Sequence, residues 1–343
     1  MSDTAGMGQT VLVTGGTGFV GSWTIVELLK QGYSVRTTIR NLACEQEVRA
    51  MIGGEAIAGD RLSFFAADLL HDAGWERAAD GAQFVLHVAS PMPIGEYRGQ
   101  DVITPARQGM VRVLKAAARA AVKRTVITSS TAAAMRQSKK AGTLDEHLWT
   151  DLPDKPIYNY PRSKTLAEQD AWAFIRDTGS AMELSSILPS SILGPVLGPD
   201  YSASIDIVAL MLKGKLPMVP RIGFGIVDIR DLADLHIRAM TAPAAAGERF
   251  IATGQFLWFS DIAALLRDKL GKHGAKAPRL TMPDFLVRAG ALFNPEMAQL
   301  APNLGVRYGS VSSKAETMLG WRTRAAETSI IDTANSLIEQ GLA

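Results

Sequence analysis

Thr10-Val11-Leu12-Val13-Thr14-Gly15-Gly16-Thr17-Gly18-Phe19-Val20-Gly21 is the stretch whose reading decides the fold. Three aliphatic residues in a row between threonines read as a strand covered on both faces. Glycines then recur at intervals of three, and an amphipathic stretch at helical period follows over residues 22–31. Each glycine has its own physical reason. Gly15 permits the tight turn, Gly18 lets the backbone approach a pyrophosphate, and Gly21 lets the helix pack on the strand. Thr17, Phe19 and Val20 complete the loop. The helix start offers free N–H groups and a positive dipole end to phosphate.

Outward from this loop, short apolar runs alternate with helical patterns. Further strands are expected at 34–39, 62–66, 84–88, 124–129 and 182–188, with helices at 103–121 and 163–178. This alternation is the signature of βαβ units, and two such halves build an α/β, doubly wound parallel sheet of the Rossmann type. After residue 190 the texture changes: Gly194-Pro195, Gly198-Pro199, Pro217 and Pro220 punctuate longer irregular links. The expected division is a dinucleotide-binding domain over 1–190, with 224–254 returning to it through Ile226-Val227 and Arg249–Ala252. A smaller C-terminal substrate-binding lobe would take 191–223 and 255–343.

Composition narrows the function classes. A single cysteine, Cys44, excludes an internal disulfide and a multi-thiolate metal site. The five histidines, His71, His87, His147, His236 and His273, have no metal-like spacing, so no metal is expected. A net charge of +2 with scattered basic residues, Lys139-Lys140 being only a pair, gives no reason to expect nucleic acid. No apolar run is long enough for a membrane span, and residues 1–10 lack the pattern of an export signal. A cytoplasmic location is the expectation.

The second expected strand ends Thr38-Ile39-Arg40-Asn41. An acid there would take the ribose 2′-hydroxyl of NAD, but a 2′-phosphate calls for a guanidinium, which pairs with it bidentately. Arg40 is well placed, Arg36 less so, and the cofactor expected is NADP(H). Farther on, Tyr160-Pro161-Arg162-Ser163-Lys164 sets a phenol and an ammonium at i and i+4, on one helix face. The ammonium would favour the phenolate and suit the tyrosine to proton transfer. Thr128-Ser129-Ser130 closes a strand, where open α/β sheets keep their active sites. A Ser130 hydroxyl there can donate to a substrate carbonyl.

In combination these motifs resemble the extended short-chain dehydrogenase/reductases of the epimerase/dehydratase superfamily. The branch is that of dihydroflavonol reductase, cinnamoyl-CoA reductase and related microbial aldehyde and ketone reductases. The residues carrying the likeness are Val13 to Trp23, Gly32-Tyr33-Ser34-Val35-Arg36, Ala67-Asp68-Leu69, His87-Val88-Ala89-Ser90-Pro91-Met92, Thr128-Ser129-Ser130, Tyr160 with Ser163-Lys164-Thr165-Leu166-Ala167-Glu168, and Gly194-Pro195. Val227-Asp228-Ile229-Arg230-Asp231-Leu232 and Leu319-Gly320-Trp321 extend it nearly to the C-terminus.

The resemblance implies roles. Ser130 would orient the carbonyl, Tyr160 would protonate the alkoxide, and Lys164 would bind the nicotinamide ribose and tune Tyr160. Asp68 and Leu69 would meet the adenine, while Val88, Ala89, Ser90 and Thr128 would line the cofactor channel. Pro189 and Ser191 would sit near the nicotinamide, and Arg40 falls on the 2′-phosphate arginine. The further lysine that plant reductases turn to that phosphate is missing from 41–47, and Thr131-Ala132-Ala133-Ala134-Met135 lacks a polar residue for flavonoid hydroxyls.

An apolar wall is expected from Met92, Pro93, Ile94, Tyr97, Ala132, Tyr158, Leu193, Leu197 and Ile226, favouring aromatic or aliphatic aldehydes, ketones or keto esters. A hydroxysteroid-type alcohol dehydrogenase and a nucleotide-sugar epimerase or dehydratase are the alternatives on the same fold. The latter typically have an asparagine where this chain reads Ser190-Ser191-Ile192-Leu193-Gly194-Pro195, and they keep NAD. A non-catalytic NADP-sensing regulator is the alternative from another class, and such proteins usually lose the tyrosine or lysine. The expected partner is a small-molecule carbonyl compound, with the protein a monomer or homodimer.

Overall fold

A computed structural model describes residues 6–91, 101–137, 141–309 and 312–343. Seven strands form the central sheet: β1 (Thr10–Thr14), β2 (Ser34–Ile39), β3 (Leu62–Ala66), β4 (Phe84–His87), β5 (Arg124–Thr128), β6 (Glu183–Pro189) and β7 (Arg249–Ala252). Their spatial order is β7-β6-β5-β4-β1-β2-β3, every pair parallel. The chain reverses direction across the sheet between β1 and β4, opening the crevice in which such sheets bind ligands.

The apolar runs are explained by two covered faces. Val11 and Val13 of β1 enter one core with Trp23, Ile25 and Val26 of helix α1 (Phe19–Lys30). Leu12, pointing the other way, joins Val113 and Leu114 of α2 (Ile103–Arg119) and Ala167 and Ala171 of α3 (Asn159–Thr178). Helix α3 begins four residues before the start expected from sequence. Pro161 is its third residue, in the first turn, where an absent N–H costs no helical bond.

The C-terminal lobe departs from expectation in one respect. Arg249–Ala252 does return to the main sheet as β7, but the strand Gly223–Asp228 does not. It pairs in parallel with Ser191–Leu193 and antiparallel with Phe256–Trp258, making a separate three-stranded sheet. The chain passes from the main sheet to this one at Ser190, between β6 and Ser191–Leu193. The Ser190 N–H is anchored on the Ala252 carbonyl at 3.0 Å. Helices α4 (Ala203–Leu212), α5 (Ile229–Thr241) and α6 (Ala326–Glu339) fill out this side.

Two stretches quoted from the sequence meet here. Asp228, fully buried, accepts from the Arg230 N–H (2.9 Å), the Arg230 guanidinium and Ser329 Oγ (2.8 Å), so it caps α5 and ties it to α6. These partners hold its carboxyl below the ordinary range against the opposing pull of burial. Trp321, also fully buried, donates Nε1–H to the Asp231 carbonyl at 2.7 Å. Both motifs serve to fasten the lobe. Among the described residues no helix is long and apolar enough to cross a membrane.

Candidate active site

At the C-terminal ends of the strands lies a cleft of about 590 Å³. Its floor is the glycine loop, which β2 holds in place: Gly15 N–H donates to Thr38 Oγ1 (3.2 Å) and Gly16 N–H to the Thr38 carbonyl (3.0 Å). Gly15 has φ +74°, a left-handed conformation open to glycine. A Cβ on Gly21 would stand 2.1 Å from the Gly15 carbonyl oxygen, so only glycine lets α1 approach the loop this closely. Gly18 is different. It precedes α1 in extended conformation with no side-chain cap, and a Cβ there would meet only the Gly15 oxygen at 3.5 Å. Among the described residues no other atom lies within 4 Å of that point, which leaves an open cradle at the floor of the cleft. Thr17, Phe19 and Val20 complete the same wall.

Every other residue expected to touch the cofactor, with one exception, lines this cleft. Arg40, Asp68, Leu69, Val88, Ala89, Ser90, Thr128, Pro189, Tyr160 and Lys164 all border it. The exception is Ser191, which faces the adjoining cavity and donates to Ser204 Oγ at 2.9 Å. Thr14 positions the Val88-Ala89 segment: its Oγ1 accepts both N–H groups, at 3.1 and 3.0 Å. With its lone pairs so engaged, its proton goes to His87 Nδ1 at 2.8 Å. Burial, with Lys164 adding to it, lowers the His87 pKa to about 3 and keeps this imidazole neutral.

The sequence reading did not anticipate the opposite wall. Pro199, Asp200, Tyr201 and Ser202 run along the cleft, and α4 presents its first turn there. Among the described residues Ser202 Oγ has no hydrogen-bond partner, although the atom itself is buried. Burial pushes the Asp200 carboxyl up, with Arg40 opposing, so a cation and an acid share the cleft. Glycine cradle, helix start and arginine together fit a phosphorylated dinucleotide.

Ser130 and Tyr160 face this cleft and also a second cavity of about 330 Å³. Burial raises the Tyr160 phenol above its ordinary 10, with a hydrogen bond to Ser130 working in the other direction. Sequence reasoning expected Lys164 to lower it; desolvation dominates instead, and favours the protonated, donor form. Burial lowers the Lys164 pKa to about 8, and Glu168 opposes that fall.

The second cavity is walled by Ala132 and Tyr158, as expected, and by Met135, Leu144, Leu152, Ile157 and Phe224. Leu193, Leu197 and Ile226 are corrected: they pack into the lobe's core. Leu193 and Ile226 are 1% and 2% exposed, because their paired strands border the cavity only at Ser191 and at Phe224-Gly225 before entering the interior. Met92 and Ile94, with Pro93 and Tyr97, lie outside the described residues. Sequence reasoning missed Gln299, Pro302, Asn303 and Tyr308, which bring three polar side chains to the far wall. No local pattern marks them; the folding of the lobe alone brings them there. Among the described residues no cluster of His, Cys, Asp or Glu is arranged to hold a metal.

Comparisons with known proteins agree with this architecture. The model of the NAD dependent epimerase/dehydratase family matches residues 11–252, more than half of the chain. The chain is 33% identical to tetraketide alpha-pyrone reductase 2 of Arabidopsis thaliana over 75% of its own length and 82% of the relative's. It is 32% identical to dihydroflavonol 4-reductase of Zea mays over 77% and 75% of the two chains. In structure it is similar to the yeast methylglyoxal/isovaleraldehyde reductase Gre2, solved with NADPH, with a TM-score of 0.80, 24% identity, and coverage of 98% and 100%. The chain belongs to the NAD dependent epimerase/dehydratase family, as an extended short-chain dehydrogenase/reductase of the dihydroflavonol reductase-like branch.

Proposed function

We propose that the protein reduces an apolar aldehyde, ketone or keto ester to the alcohol with NADPH. The observation that carries this reading is the position of Ser130 and Tyr160, which with Ser190, Ala203 and Ser204 line both a dinucleotide-sized cleft and a smaller, largely apolar cavity. The bound dihydronicotinamide supplies the hydride. Ser130 donates a hydrogen bond to the substrate oxygen and so polarises the carbonyl. Tyr160, held protonated by its burial, delivers the proton as negative charge develops on that oxygen. Lys164, one turn along α3, faces the same cleft, anchors the ribose and offsets the charge left on the phenol.

Arg40 supports the choice of NADPH over NADH, since no acid follows β2 and its guanidinium suits a 2′-phosphate. Leu144, Leu152, Ile157 and Phe224 support an apolar substrate body, because unpaired polar groups would be desolvated against them. The test follows absorbance at 340 nm with aromatic aldehydes, ketones and keto esters, offering NADPH and NADH in parallel. Consumption of NADPH with apolar carbonyls is expected. Silence across the panel despite tight NADPH binding would refute the reductase reading and favour alcohol oxidation or sensing.

A further inference from the structure

Beneath the reacting groups lies a buried ion pair that the proton and hydride steps do not use. Glu168 stands on α3 one turn beyond Lys164 and two beyond Tyr160, with its side chain fully buried. Its carboxylate accepts from Ser129 Oγ (2.6 Å), Ser186 Oγ (2.6 Å), and Arg249 Nε (2.7 Å) and Nη2 (3.1 Å). Ser129 precedes Ser130 in the chain, and its own N–H is fixed on the Ile187 carbonyl at 2.8 Å. Arg249, on β7, sends Nη1 to the carbonyls of Glu146 (2.6 Å) and Leu148 (2.7 Å) and lies 3.9 Å over the Trp149 ring. Leu144 and Leu152 of that segment wall the smaller cavity.

One carboxylate therefore ties together the tyrosine–lysine helix, the end of the strand bearing the serine, and the segment lining the substrate side. Burying such a pair is costly, and apolar residues of similar volume in place of both partners often hold a fold as well. Its place beneath the site calls for a reason other than stability.

We infer that Glu168, held by Arg249, is a positioning residue that sets Ser130 against Tyr160 through Ser129 and supplies the counter-charge to Lys164. Burial draws the Lys164 ammonium down to about 8, and Glu168 acts against that loss. Among the described residues the other groups facing Lys164 offer no compensating negative charge. His87 on β4 is neutral, and Tyr160 is held above its ordinary value as the neutral phenol. Arg249 faces Glu168 and is paired with it.

The inference rests on the proposed carbonyl reduction for its kinetic arm, and its binding arm needs only the cofactor. The full-length wild type, Glu168→Gln and Ser129→Ala are compared by NADPH fluorescence titration and steady-state kinetics between about pH 6 and about pH 10. Glu168→Gln keeps the shape and removes the charge. It is expected to lower kcat by about 100-fold with little change in KM, and to move the alkaline limbs of kcat and of NADPH affinity down by roughly one pH unit. Ser129→Ala keeps the charge, so its limbs stay in place while kcat falls about tenfold.

A merely structural role would lower thermal stability without moving either limb. Unshifted limbs with wild-type kcat in Glu168→Gln overturn the inference. Should that variant fail to fold, Ser129→Ala and Arg249→Lys decide: unchanged kcat in both overturns it, and a loss in kcat at unchanged KM sustains it. A wild type that turns over no carbonyl refutes the proposed reduction. The binding arm still decides the inference then, since a shifted NADPH limb in Glu168→Gln, or in Arg249→Lys, supports it and an unshifted one does not.

Discussion

Gly18 and Gly21 lie in the same loop and are required for opposite reasons, so replacing each by alanine separates cofactor space from protein packing. At Gly21 the new Cβ would stand 2.1 Å from the Gly15 carbonyl oxygen, where ordinary contact begins at 3.4 Å. Helix α1 must then retreat from the loop by about 1.3 Å, the difference of those distances, since backbone lines both sides of the gap. Overpacking of this kind costs about 1–3 kcal/mol, and the displaced helix start would also loosen the phosphate cradle. Gly21→Ala is therefore expected to lose both thermal stability and NADPH affinity. At Gly18 the backbone angles, φ −80° and ψ 160°, suit alanine, and among the described residues the Cβ meets no atom nearer than 3.5 Å. Changing glycine for alanine at this cap costs about 1 kcal/mol at most, so Gly18→Ala should unfold within a few degrees of wild type. The methyl occupies the space assigned to the pyrophosphate, and the same overpacking cost then appears in binding, as a roughly 5- to 150-fold weaker Kd. Thermal unfolding without cofactor, paired with NADPH fluorescence titration, reads both quantities. Wild-type NADPH affinity in Gly18→Ala would refute the cradle; an unchanged unfolding temperature in Gly21→Ala would refute the packing argument.

Tyr160→Phe removes the proposed proton donor and leaves the ring, so turnover should fall by about 10²–10⁴-fold while NADPH binding is retained; normal turnover would sink the mechanism. Arg40→Ala should weaken NADPH by about 10- to 150-fold, the worth of hydrogen bonds to a charged group, and barely touch NADH. Equal effects on the two cofactors would remove Arg40 from its assigned role. His87 and His236 are buried neutral, with pKa values lowered by desolvation from 6.5 to about 3 and about 4. The unfolded chain takes up these protons first, so stability is complete above about pH 6.5 and declines as pH falls below it. The Asp228 carboxyl, shifted below 3.8, adds its own loss only at lower pH. An unfolding temperature that stays flat from about pH 7 to about pH 5 would contradict the neutral histidines.

The central sheet was legible because both its faces are covered. Val11, Leu12 and Val13 must all be apolar when successive side chains enter different cores, so the run betrays the strand before any topology is known. The cofactor cleft was legible for a related reason: its residues sit on the ends of those strands, as Arg40 follows β2, Asp68 follows β3 and Ser130 follows β5. The smaller cavity was not legible. Near it the neighbours Ile192 and Leu193, past the cavity-lining Ser191, part ways, one lining the larger cleft and the other entering the core, and the sequence offers two aliphatic residues with nothing to tell them apart. Gln299, Asn303 and Tyr308 reach the same wall only through the folding of the lobe. Glu168 shows the limit most clearly. It stood in plain sight four residues after Lys164, but a glutamate on a helix ordinarily faces water. The charge that pairs with it in its buried place is Arg249, 81 residues away and brought beside it by the parallel pairing of β7 with β6. Local chemistry declares itself in sequence where one element's end carries the function. It falls silent where a side chain's role is defined by a partner supplied from another strand.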